Sequence, residues 1–309
     1  LPLLAALAAA PLFGPGAAAA QERVEVWHAY RGEEEEGLRA AAAAFMRASP
    51  DVRVALVAQP FGAYASKLES AIPTGNGPDL FIDTHDRVAS YVAASLIVAI
   101  EPADRAAFEA RVEPAHRAAM TIDGALRGYP LSVKAPALYV NAAFVDGEVE
   151  ALEDLAALSL PSGVYPLVME AQSAYWVSGL FGAYGAGLVD EDGGWGLGTD
   201  GATRALEQLR GLVEAGVVPR ETDGALVARL FTSGRAASAI SGPWLAPDLP
   251  SALRWRVQPL PIVRGAGAEP MRPYVTVEGA FVASRARAPD GARRFAEFLM
   301  LGEGALLRA

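Results

Sequence analysis

Hydrophobic and polar positions first fall into a regular pattern at Arg23. In RVEVWHAY (residues 23–30) β-branched and aromatic side chains alternate with polar ones, the period of a strand. The next segment, GLRAAAAAFMRASP (37–50), is built from strong helix formers and stops at Ser49-Pro50. Between them Glu33 to Glu36 fall in the first helical turn, where negative charge opposes the partial positive charge of the N-terminus, so a solvated cap accounts for them. DVRVALVAQP (51–60) predicts a second strand and GAYASKLESAIPTG (62–75) a second helix. PDLFID (78–83) reads as a buried strand, and DRVASYVAASL (86–96) as a helix with Val88, Tyr91, Val92 and Leu96 on its apolar face. Strand and helix alternating three times predict an α/β layer with a mostly parallel sheet.

The pattern restarts after ALRGYPL (125–131), a hairpin arm. APALYVN (135–141) predicts a strand entering a second body, and YPLVMEAQ (165–172) another strand before an aromatic-rich helical run, SAYWVSGLFGAYGA (173–186). DEDGGWGLGTDG (190–201) is a surface loop, and GATRALEQLRGLVEAGVVP (201–219) an amphipathic helix that ends at Gly216 with Pro219 beyond it. ALVARLFTSGRAASAISGPW (225–244) gives a helix, a turn at Ser233-Gly234 and a short apolar strand. Strands resume from WRVQPLPIVRG (255–265) through PYVTVEGAFVAS (273–284), and ARRFAEFLMLGEGALLRA (292–309) predicts a final helix pair. Two α/β bodies joined by crossing segments are expected.

Composition narrows the function. The net charge of −10, without a Lys/Arg cluster, argues against a nucleic-acid surface. The absence of cysteine removes disulfides, thiolate metal sites, cysteine nucleophiles and a lipid-attachment cysteine. Residues 1–20 read as a signal peptide: an apolar run to Phe13, a Gly-Pro-Gly break, and Ala18 to Ala20 ahead of Gln21. The run is too short and broken for a membrane anchor.

Chemistry gathers in FIDTHDRV, where Asp83, His85, Asp86 and Arg87 sit at a strand end. A metal or hydrolytic site there needs further ligands, but the chain has three histidines, and His116 lies in an exposed helix start, leaving His28 and His85. No Gly-x-Ser-x-Gly elbow or phosphate loop occurs. Paired carboxylates for glycoside hydrolysis stay open on composition alone. Ligands of open α/β sheets bind beyond the carboxyl ends of strands, and a carboxylate beside a guanidinium suits vicinal hydroxyls. Trp27 and Tyr30, Phe61 and Tyr64, Tyr175 and Trp176, and Trp244 fall near strand-to-loop junctions, where a ring face can stack on the C–H face of a pyranose. Trp27 and Trp176 are equally consistent with the core. Trp244, stiffened by the preceding Gly-Pro, is expected to face a cleft.

GNGPDLFIDTHDRVASYVAASLIVAI (75–100) and FTSGRAASAISGPW (231–244) resemble stretches of the maltose/maltodextrin-binding proteins, the family 1 extracellular solute-binding proteins of carbohydrate ABC importers. Looser likeness extends through VEVWHAYRGEEEEGLRAAAAAF, GYPLSVKAPALYVN, YPLVMEAQSAYWVSGLFGAYGA and VTVEGAFVASRARAPDGARRFAEFLM. The resemblance implies an α/β, two-lobed periplasmic-binding-protein fold (type II), each lobe a mixed sheet flanked by helices around a ligand cleft. The first lobe is expected over 22–132 plus about 260–309, and the second over 133–259. By position, Asp86 and Arg87 match the residues that hydrogen-bond sugar hydroxyls, and Tyr175 and Trp244 match aromatics that pack on the sugar. Departures also mark ligand positions. Asp83 stands for a stacking tryptophan, Lys134 and Ser173 for glutamates, and Arg31 with Glu33 for an acid–lysine pair beside Tyr30. Asp83 and Lys134 are expected either to bracket hydroxyls or to pair with each other across the cleft.

The resemblance implies a monomer, exported to the periplasm or beyond, that hands an oligosaccharide to an inner-membrane ABC permease without metal, cofactor or covalent chemistry. It also implies a C-terminal segment returning to the second lobe after residue 309. Another solute (trehalose, a different sugar, a polyol phosphate or a polyamine) and a secreted glycoside or metal-dependent hydrolase are the alternatives.

Overall fold

The computed structural model describes residues 21–190, 192 and 194–309. The leader expected over residues 1–20 lies outside the described residues. Two bodies follow, each built around its own sheet.

The first sheet has the order Val52–Ala58, Glu22–His28, Leu80–Thr84, Thr276–Val282, Tyr129–Lys134. The first three strands run parallel, and Thr276–Val282 lies antiparallel between its neighbours. Alternation sorts each strand onto two faces. Val24, Val26, Leu80, Ile82, Ala280 and Val282 pack beneath the helices Gly32–Ala48 and Pro289–Met300. On the opposite face Trp27, Phe81, Val277 and Phe281 meet Tyr64, Leu68, Val88 and Tyr91. Both faces are covered, as a largely parallel sheet requires. The final helix, Glu303–Arg308, packs on Gly32–Ala48 of the same lobe.

The second sheet sets Ala137–Asn141 between Ser238–Ser241 and Trp255–Gln258, all antiparallel. Leu138, Val140 and Ile240 face a core with Leu180, Phe181 and Leu209, while Tyr139 and Ala239 face Leu230, Phe231 and Leu245. The strand expected over 165–172 is reduced to single parallel bridges, Tyr165 with Ala236 and Val168 with Ala239. Pro166 offers no amide donor to continue a ladder, and its carbonyl is taken by Ser238 Oγ at 2.6 Å.

The lobe boundary differs from the expected one. Leu260, Val263 and Met271 complete the second core, so the chain returns to the first lobe after residue 271 rather than near 260. Residues 134–137 carry it out and residues 272–276 bring it back. The return is tied along one face of the helix Ala174–Ala183, by Arg272 N–H to the Gly179 carbonyl (3.2 Å) and Tyr274 N–H to Ser178 Oγ (2.9 Å).

Candidate functional site

The strands Glu22–His28, Val52–Ala58 and Leu80–Thr84 are parallel, so their carboxyl ends open the loops 29–31, 59–63 and 85–87 along one edge. The second lobe meets this edge. Gly32, at φ +53°, opens the helix Gly32–Ala48, and a Cβ there would lie 3.4 Å from Pro247 of the second lobe. The left-handed backbone favours glycine there, and Pro247 packs against it at ordinary contact distance.

Asp83 is the next-to-last residue of the strand Leu80–Thr84, two residues beyond Phe81 and on the same inward face. It is 3% exposed. Arg87 Nη1 donates to its Oδ2 at 3.1 Å, the Thr84 N–H to its Oδ1 at 2.9 Å, and the Tyr91 hydroxyl to Oδ2. Burial raises its pKa even so, against the pull of these donors. The carboxylate is therefore engaged by protein and not offered to a sugar hydroxyl. His85 is also occupied, since its Nδ1 accepts the Val277 N–H at 3.1 Å. Among the described residues no three His, Asp or Glu side chains converge as metal ligands. Asp86 alone of the cluster is exposed, and Arg87 keeps part of its guanidinium at the surface, over the ring of Phe61 at 5.5 Å.

Lys134 does not pair with Asp83. Its Nζ lies 2.5 Å from Glu34 Oε1 and 3.4 Å from Glu278 Oε1, and 5.1 Å from the ring centre of Tyr30. Glu278 is the centre of this cluster, accepting from the Tyr30 hydroxyl and from Ser132 Oγ (2.9 Å) through Oε2. Tyr30 is buried, and burial together with Glu278 pushes its pKa well above the usual phenol value. Tyr30 and Lys134 thus spend their polar atoms on a floor where both crossing segments meet the first helix. Arg31 is exposed at the N-cap position, without a side-chain cap bond.

The second lobe presents rings. Tyr175 and Trp176 start the helix Ala174–Ala183 and meet edge to face at 5.1 Å; Trp176 and Trp244 do the same at 5.7 Å. All three are half-buried. Trp244 lies in the 3₁₀ turn Pro243–Asp248, and its indole folds back over Gly242, where a Cβ would come within 2.3 Å of the ring. The Gly-Pro ahead of the tryptophan therefore aims it. Glu170, close to Trp176, has its pKa raised first by burial and then by Asp223. Tyr175 is bound across the lobe boundary by Thr276 Oγ1 at 3.3 Å. Burial raises its phenol pKa; the field of Asp86 adds to this and that of Lys134 opposes it, so the charged edge and the aromatic wall lie within electrostatic reach.

Of the expected residues, Asp86 and Arg87 stand on the loop edge of the first lobe and Tyr175 and Trp244 on the second lobe, with Tyr175 bonded to Thr276 and within the field of Asp86. Asp83, Tyr30 and Lys134 lie behind that edge with their polar groups satisfied. Glu278, Glu170 and Glu34 were not singled out from the sequence, because their roles depend on strands and helices far away in the chain. Two open concavities of about 440 and 480 Å³ are lined by second-lobe residues alone, among them Tyr184 and Arg204 in the first, Gln172 and Asp223 in the second.

This arrangement has close counterparts. The chain is 25% identical over 284 residues to the maltotriose-binding protein of Pyrococcus abyssi (strain GE5 / Orsay), covering 89% of this chain and 62% of that one. It is 23% identical over 266 residues to the maltodextrin-binding protein MdxE of Bacillus subtilis (strain 168), covering 80% of this chain and 62% of MdxE. The galactooligosaccharide-binding protein of the same organism is 24% identical, with 69% of this chain and 53% of that one covered. The chain thus spans between 53% and 62% of the length of these curated relatives. Among solved structures, the Thermus thermophilus maltotriose binding protein bound with maltotriose superposes with a TM-score of 0.81 at 26% identity, over 92% of this chain and 79% of that one. A cyclo/maltodextrin-binding protein complexed with maltotetraose shares the fold at a TM-score of 0.76 and 24% identity, over 93% and 77% of the two chains. The two lobes and the cleft edge are those of this periplasmic-binding fold, and the family model matches residues 31–304: the chain belongs to the bacterial extracellular solute-binding protein family.

Proposed function

We propose that this chain captures an oligosaccharide of the maltose/maltodextrin type between its lobes and delivers it to an ABC permease in the membrane. The observation that carries the reading is the row Tyr175, Trp176 and Trp244, half-exposed on one lobe, with Asp86 of the other lobe near enough to act on Tyr175. Stacked rings remove the apolar faces of a pyranose from water, and a carboxylate with a guanidinium satisfies the hydroxyls on its rim. Relatives whose names specify maltotriose and maltodextrin support the sugar class.

In this proposal Asp86 and Arg87 bond hydroxyls, while Tyr175 and Trp244 stack. Arg31 reaches the cleft mouth from the helix start. Tyr30, Asp83 and Lys134 act from behind, by fixing the floor and the Arg87 side chain. A ligand touching both lobes favours the closed arrangement by its differential affinity for it, with residues 134–137 and 272–276 as the hinge. No bond of the ligand is made or broken. The chain works outside the cytoplasmic membrane as a monomer, with residues 1–20 as its export signal.

A polyol phosphate is the weaker alternative, because the cation that argued for it, Lys134, is already neutralised by Glu34 and Glu278. A thermal-shift screen against maltose, maltotriose, maltohexaose, trehalose and galactooligosaccharides tests the reading, since binding to the native state raises the melting temperature. A shift with maltotriose or maltohexaose that EDTA leaves unchanged, and intact sugar recovered afterwards, is the expected result. No shift with any oligosaccharide would sink it, and sugar cleavage would point to the hydrolase alternative.

A further inference from the structure

Phe61 is the one phenylalanine among the exposed large apolar side chains of the described residues, at 63% exposure. A lone exposed apolar residue is ordinary on a protein surface. Phe61 differs in where it stands and in what holds it. It follows the strand Val52–Ala58 in the loop 59–63, on the same edge as Asp86 and Arg87.

Its backbone is stiffened from both sides. Pro60 fixes the entry at φ −62°, and Phe61 opens the 3₁₀ turn Phe61–Ala63 that runs straight into the helix Tyr64–Ala71. Just before it, Gln59 is buried and accepts from Lys67 Nζ at 2.6 Å. The ring is supported by the Arg87 guanidinium, 5.5 Å from its centre. Arg87 is in turn anchored by Asp83 at 3.1 Å, and Asp83 by the Tyr91 hydroxyl and the Thr84 N–H. A continuous series of contacts, Tyr91–Asp83–Arg87–Phe61, thus runs from the core to a solvent-facing ring. A guanidinium on an aromatic face leaves the rest of the ring open, and a ring held still loses little entropy when a ligand lands on it.

We propose that Phe61 is a stacking platform of the first lobe, receiving the apolar face of a pyranose whose other contacts come from the aromatic wall of the second lobe. Asp83 is a positioning residue for that platform, acting through Arg87. The proposal rests on the oligosaccharide reading above. It also explains why a carboxylate buried beneath the cleft edge is worth its desolvation: it holds the one side chain that bridges core and platform.

Calorimetric titration with maltotriose of the wild-type chain, Phe61→Ala, Phe61→Trp, Asp83→Asn, Phe61→Ala/Asp83→Asn and Trp244→Ala tests this. Phe61→Ala is expected to weaken binding about tenfold, with the melting temperature nearly unchanged, because the ring is exposed and its removal leaves no cavity. Phe61→Trp restores affinity to within about twofold, since a larger ring face serves the same purpose. Asp83→Asn weakens binding about threefold alone and clearly less in the Phe61→Ala background, where only its support of the Arg87–hydroxyl bonds is left to lose, the coupling expected of residues that act partly as a unit. If Phe61→Ala stays within twofold of wild type while Trp244→Ala loses tenfold, the platform is refuted and the oligosaccharide reading stands. If the losses from Asp83→Asn and Phe61→Ala add, the positioning role is refuted. If the wild-type chain binds neither maltotriose nor any other oligosaccharide of the thermal-shift screen, the oligosaccharide reading fails and the platform fails with it.

Discussion

The first lobe brings charge to the cleft and the second brings aromatic rings, and the two materials are held in different ways. Charges of the first lobe are mostly paired before any ligand arrives: Asp83 with Arg87, Lys134 with Glu34 and Glu278. The rings of the second lobe meet one another edge to face, at 5.1 and 5.7 Å, and remain half-buried. The difference follows from the cost of desolvation. A carboxylate or ammonium taken out of water must be compensated within the protein, whereas an indole can wait half-exposed and gain when a ligand covers it. The charged side therefore sets geometry, and the aromatic side keeps apolar surface still open to burial.

The sharpest way to break the comparison is at Glu278. Glu278→Leu leaves the Tyr30 and Ser132 hydroxyls without their acceptor and Lys134 with a single carboxylate. A loss of about 3 kcal/mol of stability is expected in urea melts, much more than from any single ring. An unchanged midpoint would mean that the floor is not a stability element. On the aromatic side the order reverses. Trp244→Ala should weaken maltotriose binding at least tenfold, about 1.4 kcal/mol, with little loss of folding; equal affinity in calorimetry would remove its assigned role.

A smaller effect comes from His28, fully buried beneath the first helix with both ring nitrogens lacking a hydrogen-bond partner among the described residues. Burial holds its pKa below the ordinary value; Glu35 opposes this and Arg39 adds to it. The folded state thus binds fewer protons than the unfolded state below about pH 6.5. This share of the stability is complete above that pH and declines as the pH falls toward the lowered pKa. The wild-type melting temperature should therefore drop relative to that of His28→Leu between pH 7 and pH 5, and parallel curves would contradict the assignment. The smallest effect is expected outside the cleft. Arg294→Ala breaks an exposed pair with Asp51 on the first lobe's outer surface and should leave the melting temperature unresolved from wild type. That null result would show that it is burial at the cleft floor, and not pairing itself, that gives the first-lobe charges their weight.

Much of the frame is legible along the chain. Three strand–helix repeats, the restart near residue 135 and the closing helix pair follow from periods of 2 and 3.6, because one buried face per element imposes them locally. The turn that carries Trp244 was legible as well, since the Gly-Pro before it fixes its backbone. The role of Asp83 was half-legible: Phe81 and Asp83 share one strand face, so the alternation that buries Phe81 also buries Asp83, but charge drew it into the surface cluster. The partners of Lys134 were not legible, being 100 and 144 residues away. The failed strand at 165–172 and the late return after Met271 likewise depended on which core had room for them.

The sequence by itself determined the element order, the α/β class and the likeness to a solute-binding family, all carried by local spacing or by contiguous motifs. Only the tertiary structure decided which charges are free. Whether Asp83, Asp86, Lys134 or Arg87 faces a ligand depends on neighbours brought in by other strands and helices. The energy of a charge is set by what surrounds it in space, and spacing along the chain does not encode that.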